Sequence, residues 1–70
     1  MMPLTLAEPG KEYIVKKTGG PSEVRQHLAD MGFNAGATVN VVSISDGNVI
    51  VKVHDSRVAI SKEMAQRIMI

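Results

Sequence analysis

Two β-branched runs, Thr38 to Ser45 and Val49 to Val53, meet across Ser45-Asp46-Gly47-Asn48 and constrain this chain more than any other feature. An Asp-Gly pair between such runs is a strong hairpin signal. In the second run Val49, Val51 and Val53 alternate with Ile50, Lys52 and His54, the period of a strand with one buried face. The first run breaks phase once: Val39 and Val41 share one face, and Val42 and Ile44 share the other. Such a slip predicts a β-bulge or a sharply coiled strand, the device by which small barrels bend.

The rest of the chain must fold around that hairpin without a covalent staple. Seventy residues lie near the lower limit for an independent core, so residues 1–70 are expected to form a single domain. The absence of cysteine removes disulfides, thiolate metal sites and thiol chemistry together. The core must be aliphatic, because Tyr13 and Phe33 are the whole aromatic inventory. Eight basic and seven acidic residues give a net charge of +1 and are dispersed, so no strong field favours a polyanion or a membrane surface. No basic flank with an apolar run opens the chain, and no segment approaches the ~18 apolar residues of a membrane span. The expectation is a cytoplasmic, prokaryotic protein without direct membrane insertion.

Glu8-Pro9-Gly10 is a turn signal, and Tyr13-Ile14-Val15 reads as a first strand closed by Gly19-Gly20. The spacing predicts one short helix from Pro21 to Met31. Proline costs nothing at a helix start, and Gly32 stands where a left-handed residue would close the last turn. At about 100° per residue, Val24, Leu28 and Met31 fall in a stripe of roughly 60°. Phe33-Asn34-Ala35-Gly36 is a connector, His54-Asp55-Ser56 is a second turn into Arg57-Val58-Ala59-Ile60, and Ser61 is placed to cap a brief C-terminal helical turn. Ile68-Met69-Ile70 ends the chain as a short strand. Short strands with frequent turns and one helix predict a mainly β fold, a small partly open barrel.

Arg25, Leu28, Met31-Gly32, Gly36, Val39 and Val41 follow a spacing that resembles the FeoA domain family. Arg57, Ala59, Ile60, Ala65, Ile68 and Ile70 resemble its closing segment and Pro9-Gly10 its opening turn, so the resemblance spans essentially the whole chain. It implies an SH3-like barrel, free in the cytoplasm, that assists ferrous-iron uptake and transition-metal traffic by contact with the cytoplasmic GTP-binding region of the FeoB transporter. Similar domains are also fused to metal-dependent repressors, which supplies the leading alternative, an interaction module working with a transcription regulator. Two turns depart from the family pattern. The tight Ser45–Asn48 turn replaces a proline-containing loop, and Asp55-Ser56 stands where glycine is frequent. Leu28, Gly32, Gly36, Val39 and Val41 each have a structural reading, as core positions or turns, so this motif identifies a fold before it identifies a site.

Chemistry that would make this chain an enzyme is not evident. Ser22, His27 and Asp30 are close in sequence, but Ser22 and His27 point about 140° apart on a helix. Gly19-Gly20-Pro21-Ser22 lacks the spacing and lysine of a phosphate-binding loop. His27-x-x-Asp30 and His54-Asp55 offer nitrogen and oxygen donors, yet their spacing does not compel a metal site, so neither metal nor cofactor is expected. Nucleic-acid binding by a small barrel needs stacking aromatics on a basic groove, and proline-rich peptide recognition needs an aromatic groove. Two aromatics and no basic stripe argue against both, leaving a nucleic-acid-binding barrel as the remotest alternative. A protein-binding surface remains. Phe33 either anchors a partner, rimmed by Arg25, His27 and Asn34, or folds back over Leu28 as a cap contact. Edge strands offer a further route, to a homodimer or an added partner strand.

Overall fold

The computed structural model describes residues 1–70 as six short strands and two helices. In chain order these are β1 (Glu12–Ile14), β2 (Lys17–Thr18), α1 (Ser22–Asp30), β3 (Thr38–Ile44), β4 (Asn48–Val53), β5 (Ser56–Ser61), α2 (Lys62–Ala65) and β6 (Ile68–Met69), with a 3-10 turn at Leu4–Leu6 before them. β1, β3, β4 and β5 form an antiparallel sheet in that spatial order, and β2 pairs with β6 in a separate two-stranded sheet. The two sheets do not close on each other, so the fold is the partly open barrel expected.

Burial follows the alternation of the hairpin. Val49, Val51 and Val53 all face inward from β4, opposite Val39 and Val41 of β3 and Val58 and Ile60 of β5. Each such side chain contributes about 1.5–3 kcal/mol through the apolar surface it removes from water. The phase break is a register shift between Val41 and Ser43. It turns Val42 outward, 38% exposed, and returns Ile44 to the inner face, where it packs on the core.

The two turns flanking β4 invert what their composition suggests. In the first, the Ser45 amide and hydroxyl both donate to the Asn48 carbonyl, and Gly47 does not use a left-handed backbone. In the second, His54 carries φ +55, a left-handed conformation normally left to glycine. This is the region where the FeoA pattern often has glycine and this chain does not.

α1 runs one residue shorter at each end than the Pro21–Met31 expectation, with Pro21 and Met31 as its flanking residues. Gly32, at φ +104, is left-handed as predicted and completes a Schellman ending: the Phe33 amide donates to the Leu28 carbonyl and the Gly32 amide to that of Ala29. The following connector is zipped onto the first strand's exit, Gly36 donating to the Val15 carbonyl and Val15 to that of Ala37. Ser61 caps α2 by accepting from the Met64 amide at 3.2 Å.

The N-terminal segment does more than the sequence indicated. Leu4 is fully buried, and Met2 and Ile70 exchange both backbone hydrogen bonds, fastening the start of the chain to its end. Tyr13 ties down the opening turn by accepting from the Glu8 amide at 2.9 Å.

Candidate functional site

The candidate partner-binding residues were grouped around α1 and its exit, and the structure separates them. Phe33 is 1% exposed and belongs to the same core as Leu28, Val39 and Val41. The exposed-anchor reading is therefore corrected. The Schellman ending points the residue after Gly32 back toward the helix's last apolar turn, and the ring fills the core there. No rim of Arg25, His27 and Asn34 surrounds it, because a buried ring offers no surface to rim.

The other three lie on the surface. Asn34 is exposed and donates its side-chain amide at 3.4 Å to the Ala29 carbonyl, which already accepts from the Gly32 amide. Arg25 is exposed and forms neither an ion pair nor a side-chain hydrogen bond within the chain. His27 is exposed and lines a shallow, open depression with Ser22, Glu23, Gln26 and Asp30. Across this depression Gln26 donates to Asp30 at 2.9 Å. No hydrogen bond links Ser22, His27 and Asp30, so the trio does not assemble a nucleophile with its base.

The structural members of the motif sit where the packing needs them. Leu28, Val39 and Val41 are fully buried. Gly32 is buried, and a Cβ there would lie 2.8 Å from His54 Cδ2 and 3.3 Å from Val53 Cγ2, so the left-handed glycine also lets the β4–β5 turn close over the helix exit. His54, otherwise solvent-facing, rests its imidazole against this glycine. No three His, Asp or Glu side chains converge into a group able to hold a metal ion, and no helix is long and apolar enough to cross a membrane.

A surface that the sequence reading did not single out lies on the outer face of the four-stranded sheet. Register places Glu12, Asn40, Lys52 and Arg57 in one row across β1, β3, β4 and β5. The next row carries Ser43, Ile50 and Ala59, beside the bulged Val42. Alternation with Val51 and Val53 already sets Lys52 on the outer face, but its pairing with Arg57 depends on the register across the His54-Asp55 turn.

Comparison with known proteins agrees with this geometry. A family model described as FeoA domain matches residues 2–70. A protein of Methanocaldococcus jannaschii, provisionally named Fe(2+) transport protein A, is 37% identical over 70 residues, covering 100% of this chain and 85% of its own length. A crystal structure described as iron uptake regulatory protein (FeoA) superimposes with a TM-score of 0.87 at 39% identity, over 96% of this chain and 89% of that one. The zinc complex of Stenotrophomonas maltophilia FeoA, described as a prokaryotic SH3 domain protein, superimposes with a TM-score of 0.85 at 20% identity, over 99% and 88% of the two chains. That likeness gives the architecture its SH3-like class.

Proposed function

The chain belongs to the FeoA family, and from that premise we propose that it is a non-enzymatic cytoplasmic accessory of ferrous-iron uptake, acting by contact with the cytoplasmic GTP-binding region of the FeoB transporter. The observation that carries this reading is a likeness over the full chain, at 37% identity, to a relative named for Fe(2+) transport. The Stenotrophomonas relative is described as a candidate activating factor for ferrous-iron transport, which points to the same role. Iron is then the transporter's cargo, and this chain handles the transporter.

A small rigid barrel can influence a nucleotide-dependent machine only by binding one of its states more tightly than another. That suffices to bias nucleotide exchange, assembly or gating without any chemistry on the accessory itself. The residues suited to contact are exposed ones, among them Arg25, His27 and Asn34 around α1, while Phe33 supports the fold beneath them. The test is direct binding of the chain to purified full-length FeoB in detergent, loaded with GDP or with a non-hydrolysable GTP analogue. A complex is expected; no complex in either state would remove the reading.

A further inference from the structure

We propose that the outer face of the four-stranded sheet, centred on the cross-strand pair Lys52–Arg57 and the adjoining Ile50, docks an acidic, partly aliphatic segment of the protein partner. This deepens the functional reading above and rests on it.

The argument begins with register. Lys52 of β4 and Arg57 of β5 are directly opposed and both exposed. Residues so placed have Cα atoms about 4.5–5.5 Å apart, and like charges at that spacing are destabilising. No carboxylate within the chain relieves the pair. The only ion pair is Lys11–Glu8, and the acid of the same row, Glu12, lies two strands away from Lys52, across Asn40. Asp55 in the connecting turn forms no ion pair with either cation. Two uncompensated cations on a central strand and its neighbour match carboxylates supplied from outside, Arg57 with the forked geometry that carboxylates prefer.

The adjoining row determines the chemical class of the occupant. Ile50 and Val42 are 37% and 38% exposed on this face, and Ala59 pairs beside Ile50. A polyanionic nucleic acid would use the cations and leave these aliphatic groups wet, and the face carries no aromatic on which a base could stack. A protein segment with an acidic residue beside an apolar one satisfies both rows at once. Charge complementarity of this kind sets orientation and association rate as well as affinity.

The experiment compares binding of the wild-type chain and of Lys52→Glu/Arg57→Glu to purified full-length FeoB in detergent at low ionic strength. The double reversal is expected to weaken binding at least tenfold, and added salt should erode the wild-type affinity far more than that of the variant. Lys52→Gln/Arg57→Gln, which removes the internal repulsion and so should fold at least as well as wild type, is expected to give an intermediate loss. Lys16→Glu/Lys17→Glu, at the start of the smaller sheet, should stay within about twofold of wild type if only this face docks, the residual being general charge screening. Unchanged affinity in the neutralised and reversed variants would overturn this surface and leave the accessory role standing. An equal loss in the Lys16/Lys17 control would overturn it as non-specific attraction, and failure of the wild-type chain to bind would overturn both readings together. Self-association of the free chain that the same variants abolish would assign the face to a second copy and overturn it as well.

Discussion

The α1 exit and the tip of the β3–β4 hairpin each turn on a glycine, Gly32 between Met31 and Phe33 and Gly47 between Asp46 and Asn48, and they use it in opposite ways. At the exit, Gly32 is buried and left-handed, with the His54 ring where a side chain would go. At the tip, Gly47 is not left-handed, and nothing lies within 4 Å of where its Cβ would be. The exit is over-determined by packing, and the tip by a pair of hydrogen bonds from Ser45. A glycine in a turn therefore signals a change of direction, while its necessity is decided by what the rest of the fold brings against it.

The largest effect expected from this contrast lies one residue past the exit. Phe33→Ala should cost about 3–5 kcal/mol by opening a cavity in the core. For a domain whose total stability is about 5–15 kcal/mol, that should bring urea denaturation to a much lower midpoint, with much of the chain unfolded at moderate denaturant. A variant as stable as wild type would mean that the ring does not fill the core. Gly32→Ala comes next: the left-handed backbone alone costs roughly 1–2 kcal/mol, and His54 and Val53 must also move. In a chain this short each kcal/mol lost lowers Tm by about 4–8 °C, a shift readily seen by circular dichroism. Gly47→Ala is the smallest and has the opposite sign, a gain of about 0.4–1 kcal/mol from a stiffer unfolded chain. Destabilisation by Gly47→Ala would erase the distinction between the two turns.

Most of the local structure was legible in the sequence because it is written in short-range terms. The period of two in Val49–Val53, the single phase slip at Val42, the glycine closing α1 and the Ser61 cap each depend on residues within a few positions of one another. The role of Leu4 and the pairing of β2 with β6 were not legible, since both depend on segments far apart in sequence meeting at the C-terminal strand. Phe33 was legible only as a choice of two orientations. Its burial follows from the Schellman ending at Gly32 and the core it shares with Leu28, Val39 and Val41, which leaves the folded-back orientation and not the anchor. Lys52 and Arg57 were unremarkable as separate cations. They became a pair only through a register that continues across the left-handed turn at His54, where no glycine announced the geometry.

The contrast also bears on function. Residues that carry the family pattern lie mostly inside or at obligatory turns, so most of them account for the SH3-like barrel; Arg25 and Arg57 are exposed members of the pattern, and the proposed contact falls to them and to exposed positions outside it such as Lys52. The central claim is that this barrel binds FeoB and favours one of its nucleotide states. Calorimetric titration of the chain into full-length FeoB, loaded with GDP or with a non-hydrolysable GTP analogue, tests it most directly. The account predicts dissociation constants that differ at least about fivefold between the two states, the range of ordinary allosteric coupling. Equal affinity in both states, or no binding in either, would contradict it.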